Sequence, residues 1–554
     1  MTHIVGRLVR VMRSTPVLLA MIVVVGYAIA PTRLPLVGEE TRRALHGIEM
    51  AASGQWLYPT QQGVPILDRP PLQYWTFALV HGVIHEIDHF TLRITMAIVT
   101  GLTGLCVWWY AKRFVTGAGA FAAAASYITM GHVFDLGRRA ETDGLFTFLL
   151  VASMLLWHRL HDARPRSMAP WIVAGAIAGL AALCKGLQAP VAYFGAMWLY
   201  LLLRRQWRTL IAPAHWVGVA VFVAVIAVWQ VPFVLEVGWA GTRSTWFDPS
   251  TGRLGAGSLL MHMAVFPLAV IGATLPWSVL LGTVVDPRFW RMSERQSACT
   301  LYALCGCAAI FGPVWIVEGG HHRYVMPMYP LMAVLIGVVV DRCLETELRY
   351  SLRRFWRDAQ RVIAAVLLLL GVGLLVVNVA PGIAPGEWGV MLAEPVWLVA
   401  LLIIASMMGG VLVWLIAPSD LQAAAITSTC TIALLLAAFF NGPVLDAQVH
   451  RAANAGPEIL AMRAQLDGQP LYSFGRAHHK FVYWYRQPIT QLDRPEAAAD
   501  VPDQVEYFVI SVTRGREPEL PFAWRELARI NMDRTITKKP EVEMVVGQRL
   551  NVAR

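Results

Sequence analysis

Charge is scarce in this chain. Only 15% of its 554 residues are Asp, Glu, Lys or Arg, against about 25% in ordinary soluble proteins. With 56% hydrophobic residues and a mean hydropathy of +0.53, it lacks the polar surface to cover a soluble body. That excludes a single soluble enzyme, and equally a disordered chain, which needs few apolar residues. Cysteine is also sparse: Cys106, Cys184, Cys299, Cys305, Cys307, Cys343 and Cys430. Six fall in apolar runs and Cys343 in a short basic loop. None is spaced like a zinc site, so all read as free thiols. The segments read below as extramembrane contain none, which excludes a secreted disulfide scaffold. There is no internal repeat and no low-complexity segment.

What is present is a succession of apolar runs. They define an α-helical polytopic membrane protein. Arg7, Arg10 and Arg13 precede the run Val17 to Ala30, and no small-residue cleavage site follows, so it reads as a retained first span with a cytoplasmic N-terminus. Further spans are expected near 94–112, 115–132, 144–160, 169–184, 187–203, 214–236, 259–283, 299–317, 324–340, 362–380, 396–417 and 421–440. That makes about 13 crossings of roughly 20 residues. The net charge of +10 sits in short arginine clusters between these runs, such as Arg204-Arg205 and Arg353-Arg354. This is the positive-inside pattern of a topology signal rather than a nucleic-acid face. Its most basic loops, Lys112-Arg113, Arg159 to Arg166, Arg204 to Arg208, Arg288 to Arg295 and Arg342 to Arg361, all fall on the cytoplasmic side.

Two domains follow. Residues 1–440 form the membrane part, including an outward first loop, 31–90, in which Leu72 to Ile87 suits a helix lying at the membrane interface. Residues 441–554 have ordinary composition and end up outside. The alternation in Tyr507-Phe508-Val509-Ile510-Ser511-Val512, and Leu471 to Phe474 before Gly475, predict a small α/β domain with short strands.

Outward-facing charge stands apart from the topology signal at four places. Adjacent Glu39 and Glu40 either work on a cation, sugar amine or proton, or complement a helix N-terminus. Asp68-Arg69 precedes a stiff Pro70-Pro71 and is either functional or a weak surface pair. In Arg138-Arg139-Ala140-Glu141-Thr142-Asp143 two outer-side arginines break the positive-inside pattern, so the stretch is either functional or starts a helix with Thr142 or Asp143 as N-cap. His321 and His322 are adjacent, which turns them apart and disfavours one shared metal ion; a polar loop facing the site is expected. Lys185, before Gly186, either snorkels or binds an anion, and Arg253 in the loop Gly238 to Gly257 has the fork that grips phosphate. Carboxylates and cations on one face suit a substrate whose phosphate sits in the headgroup layer. The basic patch Arg476, His478, His479 and Lys480 in the tail either touches phosphorylated glycolipid or, the favoured reading, is a solvated surface.

The runs Glu39-Glu40-Thr41-Arg42, Ala51 to Pro59 and Asp68-Arg69-Pro70-Pro71-Leu72-Gln73-Tyr74-Trp75 resemble the bacterial aminoarabinose transferase family, related to the protein mannosyltransferases. The resemblance continues through Thr142-Asp143, Lys185-Gly186, Pro276-Trp277 and Arg323 to Pro330, up to about residue 340. Glu39 stands where that family usually has aspartate, one methylene shorter, so its reach differs. The resemblance implies the GT-C glycosyltransferase fold. It implies a sugar donor on undecaprenyl phosphate, best read as 4-amino-4-deoxy-L-arabinose, and an acceptor such as a lipid A phosphate at the periplasmic face. Lys185, Arg253 and Tyr324 would hold the donor phosphate. Glu39 would orient or deprotonate the acceptor, with Glu40 and Asp68 positioning the sugar. Arg42, Arg69, Arg139, Asp143 and His322 would contact acceptor or sugar. Direct inverting displacement needs no cofactor; a divalent cation at the carboxylates is allowed but not demanded. The competing readings are the same fold moving another polyprenyl-linked sugar to a glycan or protein hydroxyl, and a lipid-linked sugar transporter. The latter calls for charges within spans or broken helices in paired halves; the sequence has few such charges and no repeat of halves.

Overall fold

In a computed structural model, the structure describes residues 15–29, 31–247, 259–317, 320–344, 350–383, 403, 404, 407, 421–451, 454–532 and 542–550. The chain forms two compact units. Unit 1 comprises residues 1–31, 67–72 and 90–447; unit 2 comprises 32–66, 73–89 and 448–554. Most of the first loop therefore packs in one unit with the tail, a partition different from the 440/441 boundary that composition suggests.

Unit 1 is helical. Among the described residues, six helices are long and apolar enough to cross a membrane, seven if Leu259–Ala273 and Trp277–Val285 count as one bent pair. The apolar helices Thr15–Ala28, Gly117–Ile128, Ala169–Lys185 and Gln188–Leu203 are shorter. At about 1.5 Å per residue they reach at most about 26 Å, less than a hydrocarbon core of about 30 Å. Length alone thus supports fewer crossings than the count read from the sequence; the span expected at 396–417 lies almost wholly outside the described residues. The span expected over 259–283 is broken, its halves meeting at 117°, where Pro276 supplies no backbone donor to continue the helix.

Small residues let these helices touch. A Cβ on Gly337 would lie 2.6 Å from the Gly119 carbonyl oxygen, so Tyr329–Leu344 and Gly117–Ile128 pack backbone to backbone. Asp341 then accepts from Thr116 N at 2.9 Å and Gln296 Nε2 at 2.8 Å, joining three helices with one buried carboxylate. Elsewhere His158 stacks on Tyr302 with centroids 4.2 Å apart and bonds Tyr110 Oη at 2.7 Å.

Unit 2 is α/β, as expected for the tail. A short hairpin pairs β1 (Thr60–Gln61) with β2 (Val64–Pro65). The main sheet contains β3 (Leu471–Phe474), β4 (Ile489–Leu492), β5 (Tyr507–Thr513), β6 (Trp524–Asn531) and β7 (Val542–Arg549) in the order β4-β3-β5-β7-β6. The β4, β3 and β5 strands run parallel and the rest antiparallel. Alternation assigns the faces: Val509 and Val546 join a core with Leu45, Ile459 and Phe481, while Phe508, Ile510 and Val545 join Phe474 and Val505. Leu45 belongs to the first-loop helix Glu40–Ser53, so that helix completes the sheet's core. The Gln62 side chain accepts from Ala477 N at 2.9 Å and donates to Ser473 Oγ at 2.7 Å, fixing the hairpin to the tail.

Candidate active site

The helix Ala169–Lys185 ends at Gly186, whose φ of 76° turns the chain into the next helix. Lys185 is thereby its last residue. Asp143 lies in the first turn of Thr142–Ala163, where Glu141 rather than Thr142 or Asp143 is the N-cap and makes no side-chain cap bond. Asp143 is free of capping because its carboxylate faces Lys185: Nζ and Oδ1 are 2.5 Å apart, with the side chains 10% and 7% exposed. A charge so nearly removed from water needs such a partner. Lys185 Nζ also lies 4.8 Å from the centre of the Tyr324 ring. Gln188 Nε2 donates to the Tyr324 carbonyl at 2.6 Å. Arg323 pairs with Glu141 at 2.8 Å, and its charge, like those of Lys185 and Arg69, acts on Asp143.

Arg69, Lys185, Gln188, Thr245, Trp246 and Tyr324 line a cavity of about 380 Å³ whose remaining lining includes Val191, Ile310, Pro313 and Val314. Of the charged residues, Arg69 and Lys185 line the cavity itself, while Asp143, Glu141 and Arg323 surround Lys185. Two cations lining an apolar wall fit an anion carried on a hydrocarbon chain.

The other candidates are placed as follows. Asp68 adjoins Arg69 in the same unit. Arg139 pairs with Asp135 at 2.5 Å. The His322 ring lies 4.7 Å from that of His132, which bonds Tyr329 Oη at 2.9 Å, while His321 packs on Tyr324 at 5.4 Å. The adjacent histidines therefore take different partners. Among the described residues no three His, Cys, Asp or Glu side chains converge as a metal site. Arg253 lies outside the described residues.

Glu39, Glu40 and Arg42 belong to unit 2. Glu39 ends the turn before Glu40–Ser53 and pairs with Arg42 at 3.0 Å. Glu40 is buried and accepts from Val37 N at 2.9 Å. Thr41 bonds His479 Nδ1 at 2.8 Å; desolvation, and next the charge of His478, holds His479 well below the usual histidine range. Unit 2 has its own cavity of about 830 Å³, lined by Glu49, His81, Glu86, Arg486 and Gln491 among others, and by none of the candidate residues.

Sequence reasoning passed over Gln188, Thr245 and Trp246. The first two are uncharged polar residues at the ends of apolar helices and carry no signal by themselves. Trp246 had one: its partner Gln230 interrupts an otherwise apolar run.

Residues 68–231 match the family model of dolichyl-phosphate-mannose-protein mannosyltransferases. The undecaprenyl phosphate-α-4-amino-4-deoxy-L-arabinose arabinosyl transferase of Edwardsiella ictaluri is 27% identical over 58% of this chain and 59% of its own length. The protein of the same name from a Pseudomonas aeruginosa strain is 28% identical over 54% of each chain. The chain thus spans little more than half the length of these curated relatives. ArnT from Cupriavidus metallidurans, solved bound to undecaprenyl phosphate, superposes with a TM-score of 0.72 over 97% of this chain and 98% of its own, at 18% identity. The chain has the GT-C fold. It also resembles the aminoarabinose transferases, as its first loop indicates. Within this chain, Asp68, Arg69, Arg139, Asp143 and Lys185 all fall inside the matched mannosyltransferase segment, while His322 and Tyr324 lie beyond it.

Proposed function

We propose that this multi-pass membrane protein transfers a sugar from a polyprenyl phosphate to an acceptor at the outer face of a bacterial inner membrane. The donor read here is 4-amino-4-deoxy-L-arabinose on undecaprenyl phosphate, and the acceptor a lipid A phosphate. The observation that carries this is the cavity in which Arg69 and Lys185 meet an apolar wall. Its relatives' names and the lipid phosphate held by the Cupriavidus protein support the donor class.

In the proposed reaction an acceptor phosphate oxygen attacks the anomeric carbon. The C–O bond to the polyprenyl phosphate breaks, and the leaving phosphate keeps the electron pair, so negative charge grows where Lys185 and Arg69 stand. Arg253 is proposed to join them. Tyr324 keeps Lys185 in place. Asp143 pairs with Lys185 and holds its ammonium in position. Asp68, with Glu39 and Glu40, is the carboxylate set proposed to position the sugar and its amine. A phosphate acceptor is already anionic near pH 7 and needs little general-base help. Arg42, Arg139 and His322 are assigned to acceptor or sugar. The reaction is read as inverting, with no covalent intermediate and no metal requirement.

The test uses the full chain in nanodiscs with radiolabelled undecaprenyl-phosphate aminoarabinose and lipid A. Transfer by the unaltered protein and a loss of about 100-fold or more in Lys185→Ala are expected. Full activity in Lys185→Ala removes this site from the reaction, and no transfer by the unaltered protein removes the donor and acceptor assignment.

A further inference from the structure

We propose that the segment Trp239–Trp246 is a clamp that sets Trp246 and Arg69 at the cavity, and that Gln230 is the positioning residue that latches it. This rests on the cavity being the donor-phosphate site.

The argument begins with length. The helical stretch Pro213–Trp246 has 34 residues, which unbroken would reach about 50 Å, far beyond a hydrocarbon core of about 30 Å. It does not run straight. Gly238 takes φ 72° and ψ −176°, a conformation open essentially to glycine alone. Beyond that break the chain returns. Trp246 Nε1 donates to Gln230 Oε1 at 2.7 Å, and Gln230 Nε2 donates to Thr242 Oγ1 at 3.3 Å. In a straight helix Gln230 and Trp246 would be about 24 Å apart. Thr242 and Trp246 are four residues apart and share a face, so one amide satisfies both. An amide in an apolar span is costly unless its donor and acceptor are used, and here both are.

The same segment holds the first loop. Ser244 Oγ and Thr245 Oγ1 lie 3.1 and 3.2 Å from the Leu67 carbonyl oxygen. Gly241 permits this approach: a Cβ there would lie 3.1 Å from Leu67 Cδ1. Leu67 immediately precedes Asp68-Arg69. On its other side the Trp246 ring packs against Gly186, 3.8 Å from where a Cβ would stand, next to Lys185. Arg69, Lys185, Thr245 and Trp246 line one cavity. A single side chain in the middle of a span therefore sets an aromatic wall and, through the Ser244 hydroxyl on the Leu67 carbonyl, the start of the segment that carries Arg69. Gln230 does not line the cavity and acts only through these neighbours.

The experiment compares Gln230→Leu, which removes both bonds, with Trp246→Phe, which removes one donor and keeps a ring. It uses full-length protein in nanodiscs. Hydrogen exchange over residues 66–69 and 239–247 is expected to quicken about tenfold in both variants, with other segments unchanged. The KM for undecaprenyl-phosphate aminoarabinose is expected to rise about tenfold in Gln230→Leu, with the loss falling on KM rather than kcat. The double variant is expected to be no worse than the worse single, because the two share one interaction. Unchanged exchange in both variants overturns the clamp. So does quickened exchange with unchanged KM, or full additivity. If the unaltered protein transfers nothing from this donor, the functional reading fails separately. Exchange, together with binding of undecaprenyl phosphate itself measured by native mass spectrometry, then decides the clamp: a tenfold weaker affinity in Gln230→Leu supports it and an equal affinity overturns it.

Discussion

Lys185 and Asp143 show why residue type alone did not decide between a snorkelling lysine and a binding one. Both side chains are nearly buried and 2.5 Å apart, so each is the other's replacement for water. Removing only Asp143 leaves an uncompensated charge. Asp143→Ala is therefore expected to cost about 3 kcal/mol or more in stability, while Asp143→Ala with Lys185→Met recovers most of it; thermal unfolding in one detergent compares them, and equal losses would refute the pairing. In unit 2, His479 makes a pH prediction. Its folded-state pKa is depressed by desolvation, while its unfolded value is near 6.5. The neutral form is thus favoured in the fold. The contribution is full above about pH 6.5 and is lost as pH falls below it, because the unfolded chain then binds the proton more readily. Unfolding midpoints at pH 7.5 and 5.5 should diverge in the unaltered protein, and His479→Gln should narrow the gap; an unaltered gap counts against the assignment.

Helix packing is the scale at which composition and geometry meet. The run Ala118 to Ala125 is buried throughout, and its small side chains permit the contact between Gly119 and Gly337. Gly337→Ala would place a Cβ 2.6 Å from a backbone oxygen, so a loss of about 1–3 kcal/mol is expected. Gly373→Ala, which meets nothing within 4 Å, serves as the control, and equal stability of the two variants would contradict the packing. Strand order was only half visible. Alternation announced β5 and the glycine turn announced the end of β3, because period-two patterning is local. The participation of Glu40–Ser53 in the tail's core was not announced, since Leu45 and Ile459 share one core although their numbers differ by 414, and no local pattern encodes that.

For the whole molecule, the positive-inside reading makes an orientation prediction. No native cysteine is exposed, so introduced ones report cleanly. A membrane-impermeant maleimide applied to intact spheroplasts should label Gln469→Cys in the tail and leave Gln206→Cys in a basic loop unlabelled; both residues are exposed. The reverse pattern would overturn the assignment of the outer face. The first loop divides between the two units: Glu39, Glu40 and Arg42 belong to the unit with the tail's sheet, whereas Asp68 and Arg69 belong to the helical unit.

Scarce charge and long apolar runs were enough to make this a membrane protein, because a hydrocarbon interior admits little else. Arginine placement suggested which loops face inward, and a few first-loop residues suggested the family. Tertiary structure alone decided that Lys185 meets Asp143 and Tyr324, that a span breaks at Pro276, and that a helix folds back at Gly238 to bring Trp246 beside Gly186. Hydropathy is a sum over neighbours in the chain, whereas an ion pair or an amide latch depends on which distant neighbours the backbone brings within about 3 Å.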